Sequence, residues 1–130
     1  MRKIVLAARI LLGLIFVVFG FNGFFNFIPS PPPAPEAGAF FGALFATKYL
    51  IPVLKTTEIV CGILLLSNYF VPLALTILAP IAINIFLFHV FLNNAGMPVA
   101  IAVVALEIFL AYSYRKNYSG VLTAKAEPTE

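Results

Sequence analysis

At 130 residues the chain has room for one domain, and with 62% of its residues apolar against 10% charged it cannot build the surface of a soluble protein. A mean hydropathy of +1.06 leaves nearly the whole length for crossing a bilayer, at about 20 residues per helical span, and no room for a separate soluble enzyme domain. The net charge of +3 is no nucleic-acid signal, because the Lys and Arg residues sit mostly at the ends of apolar runs without a basic stripe; the single cysteine, Cys61, excludes an internal disulfide and a CxxC pair.

The first apolar run, residues 4–25, follows Arg2 and Lys3 as a secretory signal would. It exceeds the roughly 7–15 apolar residues of a signal, and no convincing small-x-small cleavage site follows closely, so it reads as a retained span. Gly13 and Gly20 lie on one face of it and permit close approach of a neighbouring helix. The loop 26–48 has two parts. Residues 29–35 hold five prolines and should run extended and semi-rigid. Residues 36–47 place Phe40, Phe41, Leu44 and Phe45 on one side, which predicts a short interfacial helix, either floating with its aromatic face in lipid or folded over the bundle as a lid.

Residues 49–66, 69–92 and 95–114 supply three more spans. The connections 67–68 and 93–94 are so short that only tight antiparallel hairpins fit, which gives an all-α, up-down-up-down four-helix bundle over residues 1–118. Pro52, Pro72 and Pro98 fall near span starts, where a missing amide donor costs little, whereas Pro80 lies inside the third span and should bend it by freeing a carbonyl near Thr76. Tyr49, Tyr69, Tyr112, Tyr114 and Tyr118 sit near the expected interfaces. Residues 119–130 are small, polar and charged, the composition of a flexible tail. Arg2, Lys3, Arg9, Arg115 and Lys116 flank the outer ends of the first and last spans, against Lys48 alone in the first loop, so both termini are expected on the cytoplasmic side.

Polar side chains inside these spans are the informative positions: Asn22 on the first, Lys55 and Glu58 on the second, Asn84 and His89 on the third, Glu107 on the fourth. Counted along the helical rise, all six are expected in the outer half or at the midplane. A charge at the bilayer centre costs at least about 2.5–3.5 kcal/mol, so Glu58 and Glu107 should face inward, be paired or be protonated. Lys55 is three residues from Glu58 and either pairs with it or snorkels toward the outer interface. His89 and Asn84 do not share a helix face, and one His argues against a structural zinc site or bis-ligated haem. The simplest account is that these groups bond one another and specify helix packing. Proton handling by His89 is the functional alternative.

Four stretches go beyond generic hydropathy: RILLGLIFVVFGFNGF from Arg9, FFGALFATKYLIPVLKTTEIVCGILLL from Phe40, PLAL from Pro72 and LAPIAINIFLFHVFL from Leu78. In this order they resemble the DoxX family of small four-helix bacterial membrane proteins, over about residues 9–94. The resemblance implies a multi-pass protein of the bacterial inner membrane, with Asn22, Glu58, Gly62, Asn84 and His89 as family-typical positions. It also implies association with membrane redox complexes or thiol homeostasis; a lone Cys61 does not suit thiol exchange.

Two functions follow as expectations. One is a membrane subunit or redox-associated protein whose outward-facing pocket, made by Asn22, Glu58, Asn84 and His89, binds a small hydrophobic molecule such as a quinone, with the abundant Phe and Tyr available for ring stacking. Its electrons would come from another subunit, because the sequence holds no haem, iron-sulfur, flavin or nicotinamide motif, and Glu58 or His89 would handle protons. The other is a non-catalytic assembly subunit that packs against other membrane subunits or itself. Transport is a weaker third, since four helices enclose little space and no inverted repeat is visible.

Overall fold

The computed structural model describes residues 1–29 and 32–129. It contains α1 (Arg2–Phe25), α2 (Pro35–Ala46), α3 (Leu50–Ser67), α4 (Val71–Phe91) and α5 (Met97–Ser113), with 3-10 turns at Asn94–Gly96 and Arg115–Tyr118. Helices α1, α3, α4 and α5 are long and apolar enough to cross a membrane, α5 together with the turn before it. Among the described residues there is no strand. Neighbours pair around a ring, α1 on α3, α3 on α4, α4 on α5 and α5 on α1, as an up-down-up-down bundle requires. Both termini therefore lie at one end, called here the terminal end; α2 lies at the other.

The joints follow local chemistry. Pro35 opens α2 and Glu36 occupies its first turn, where a missing N–H and a negative charge are both favourable. The Thr47 hydroxyl links α2 to α3, donating to the Leu44 carbonyl at 2.7 Å and accepting from the Leu50 N–H at 3.1 Å. At the α3–α4 hairpin Asn68 takes a left-handed conformation (φ 63°), which Asn tolerates, and the Tyr69 N–H closes the helix end on the Leu64 carbonyl at 3.1 Å. Pro72 and Pro98 stand in the first turns of α4 and α5, and α4 runs unbroken through Pro80. Within the final span the α-helix starts at Met97, and the 3-10 turn at Asn94–Gly96 supplies the first residues of the crossing. In the orientation that satisfies both its groups, the Asn94 amide nitrogen donates to the His89 and Val90 carbonyls at 2.8 and 3.2 Å and so caps α4.

The proline-rich stretch 29–35 includes Ser30 and Pro31, which lie outside the described residues. Beyond it, α2 folds onto the bundle: Ala37 is fully buried, while Phe40 and Phe41 pack on Phe88 of α4 with ring centroids 5.6 and 4.9 Å apart. Phe45 alone of that aromatic group stays well exposed. The helix thus has a covered face and an outward face. After the last 3-10 turn the chain continues in hydrogen-bonded turns, with the Leu122 N–H on the Tyr118 carbonyl at 2.9 Å.

The continuous apolar core fills the terminal half and reaches the middle. It comprises Ala8, Leu12 and Phe16 of α1, Cys61 and Leu65 of α3, Val71 to Ala82 on the inward face of α4, and Val103 and Leu110 of α5. Toward the α2 end the buried positions are scattered: Gly20, Ile51, Glu58 and Ala100. Lipid tails are as apolar as leucine, so this core is held by van der Waals fit and not by exclusion from water. The tightest fit is between α1 and α3, where Gly13 and Gly62 face each other. A Cβ on Gly62 would sit 2.9 Å from the Gly13 carbonyl oxygen and 3.0 Å from the Val17 nitrogen.

Candidate functional site

The polar residues of the spans divide into those that serve the backbone and those that do not. Asn22 is half-buried, and its Oδ1 accepts the Ile28 N–H at 2.8 Å, fixing the path of the chain as it leaves α1. His89 is also half-buried, with Nδ1 at 2.8 Å from the Ile85 carbonyl one turn back. A carbonyl only accepts, so Nδ1 is the donor in this contact. The other ring nitrogen, Nε2, lies against Gly96, where any Cβ would collide with the ring. The ring edge also meets Phe88, with centroids 5.1 Å apart.

Lys55 and Glu58 are brought together, Nζ to Oε1 at 3.5 Å. Of the two expected arrangements for Lys55, pairing is the one observed. Its aliphatic stem lies over Gly23 of α1, which has no side chain to obstruct it. Glu58 is 3% exposed, midway along α3 and beyond the limit of the continuous apolar core. Glu107 departs from its expected depth. It sits nearer Ser113 than Met97, in the terminal half, as its place within residues 95–114, twelve after the first and seven before the last, already required. It is buried, and Oε1 has no hydrogen-bond partner among the described residues. Beyond the spans, Tyr118 donates to the Pro72 carbonyl at 3.3 Å; burial pushes its phenol above the ordinary value, so it remains a donor at neutral pH.

Asn84 is exposed, about two turns short of the end of α4 and one turn below Phe88 on the same side of the helix. Asn84 therefore stands one helical turn from Phe88, the residue that meets Phe40 and Phe41. Among the described residues no hydrogen bond or ion pair joins any two of Asn22, Glu58, Asn84 and His89. A cavity of about 370 Å³ lies at the α2 end, but it is lined by Ala34, Glu36, the last residues of α4, Asn93 and Asn94. Among the described residues no three His, Cys, Asp or Glu side chains cluster as metal ligands would. The α2–α4 junction brings together the rings of Phe40, Phe41 and Phe88.

Two contributors carry a weak sequence signal or none. Phe88 is one phenylalanine among 14, and nothing local distinguishes the one that meets α2. Arg9 was read as a flanking charge, yet it is 7% exposed, with one guanidinium nitrogen donating to the carbonyls of Leu65 and Leu66 at the end of α3. Its position after residues 4–8, already one apolar turn into α1, was the available signal.

Neither a search of curated proteins nor one of solved structures gave a match. The family model described as DoxX matches residues 4–90, which takes in α1, α2, α3 and nearly all of α4. Matched over well more than half of its length, this four-span membrane chain belongs to the DoxX family.

Proposed function

We propose that the protein is a redox-associated membrane subunit that holds a small ring-bearing hydrophobic molecule, such as a quinone, at the α2–α4 junction. The observation that carries this reading is the Phe40–Phe41–Phe88 cluster with the exposed Asn84 amide one turn beneath it. Offset or edge-on rings contribute about 0.5–1.5 kcal/mol per pair beyond their area, and an amide N–H in a dry site is a directional partner for a carbonyl oxygen. Phe40, Phe41 and Phe88 would hold the ring and Asn84 would orient it. A quinone, when bound, supplies the electron-accepting chemistry; the chain supplies the position and excludes water. The basic residues at the terminal end support termini in the cytoplasm of a bacterial cell, an orientation in which this junction would face the outer side of the inner membrane.

The test is extraction and quantification of quinone retained by protein purified in mild detergent. Wild type is expected to retain it, Phe88→Ala and Asn84→Leu to retain about tenfold less, a change equivalent to about 1.4 kcal/mol. Equal retention in all three rejects the reading.

A second reading has its own observation. Leu73, Ile77, Pro80, Asn84, Leu87 and Phe91 are all exposed on α4, at the alternating four- and three-residue spacing of a helix-pairing seam. An amide at one such position sets register between transmembrane helices, as an assembly subunit or a self-associating protein would need. If Asn84→Leu dissociates an oligomer or a partner while quinone content is unchanged, this second role is the right one.

A further inference from the structure

The terminal end holds a cavity of about 640 Å³, lined by Met1, Arg2, Val5, Leu6, Arg9, Asn68, Ser113 and Tyr114. Its chemistry is unbalanced. Arg9 is more than nine-tenths buried, and the one ion pair among the described residues is Lys55 with Glu58, so no carboxylate answers the Arg9 charge. One of its nitrogens is committed to the α3 carbonyls; the other guanidinium N–H groups have no protein acceptor among the described residues. Arg2 adds a second, exposed guanidinium to the same wall, with no side-chain hydrogen bond or ion pair among the described residues. Asn68 and Ser113 contribute polar groups, while Val5 and Leu6 form an apolar flank.

A buried cation persists when an anion neutralises it, and a guanidinium fork matches the oxygens of a phosphate. We propose that this cavity binds the phosphate of an anionic lipid headgroup, with Arg9 and Arg2 as its donors. The lipid source, as against a free phosphate, follows from position. The cavity opens at the end of four apolar helices, beside Val5 and Leu6, where acyl chains continue from a headgroup and a soluble phosphate would meet an apolar wall. It is independent of any ligand at the α2–α4 junction.

The experiment is native mass spectrometry of protein released from nanodiscs of phosphatidylglycerol or of phosphatidylcholine, with thermal unfolding in detergent measured alongside in the presence of each lipid or of inorganic phosphate. Wild type is expected to keep phosphatidylglycerol adducts in preference to phosphatidylcholine, and to unfold at higher temperature with phosphatidylglycerol only. Arg2→Ala, whose side chain holds nothing in the fold, should lose about fivefold in adduct retention, the effect of one basic residue near an anionic surface. Arg9→Lys should also lose retention, since a point charge cannot reproduce the fork. Arg9→Ala also removes the α3 cap, so the conclusion rests on Arg2→Ala. Equal retention of the two lipids, or an unaltered Arg2→Ala, overturns the proposal; a thermal shift with inorganic phosphate equal to that with lipid overturns the headgroup assignment.

Discussion

Replacing Gly62 by leucine is expected to abolish the folded monomer, and replacing it by alanine to lower stability by about 1–3 kcal/mol, the usual cost of overpacking a fitted interior. A Cβ at this position would lie 2.7 Å from Val17 Cγ2, 2.9 Å from the Gly13 oxygen and 3.0 Å from the Val17 nitrogen. Two of those three atoms belong to the α1 backbone and cannot swing aside. In water a helix pair displaced in this way would retain most of its apolar burial, but in lipid that burial earns little and close backbone approach carries the association. Gly42→Ala is the matched control, because nothing lies within 4 Å of a Cβ there. Thermal unfolding in detergent, with size-exclusion profiles, should rank wild type and Gly42→Ala together, then Gly62→Ala, then Gly62→Leu. A Gly62→Ala protein as stable as wild type would show that α1 and α3 do not meet through their glycines.

The second large effect belongs to the Lys55–Glu58 pair. Lys55→Met keeps the aliphatic stem over Gly23 but removes the ammonium, leaving a carboxyl that is 3% exposed without its partner. Breaking a buried pair from one side costs about 3–5 kcal/mol, and the partial exposure of Lys55 places this case at about 3 kcal/mol. Replacing both residues, with Lys55→Met and Glu58→Leu, should recover most of the loss, because the double variant leaves no uncompensated charge. Unfolding titrations in mixed micelles measure both. Additive losses in the double variant would mean that the pair is not a coupled unit.

The spans were legible because a bilayer dictates helix length and forbids unpaired backbone, so apolar runs map onto α1, α3, α4 and α5 within a few residues. The glycine face of α1 was legible for the same reason: in lipid, small residues mark where helices meet. Positions set by partners distant in sequence were not. Arg9 is a buried cap on the end of α3, set by carbonyls 56 and 57 residues away. The expected pocket residues are individually where the sequence put them along their helices. Their orientations differ: Asn22 and His89 turn to nearby backbone groups, Glu58 turns to Lys55, and Asn84 turns outward. Composition shows that a polar group is present, but not whether its hydrogen-bonding capacity is already used within one turn.

The most direct test of the α2–α4 junction as the ligand-holding part of the molecule is photo-crosslinking with a quinone analogue that carries a photoreactive group on its ring, followed by peptide mapping. Label on the peptides that hold Phe40, Phe41 and Phe88, competed by excess unmodified quinone and lost in Phe88→Ala, is the expected result. Label spread over the lipid-facing sides of α1 and α5, unaffected by competitor or by Phe88→Ala, would contradict it.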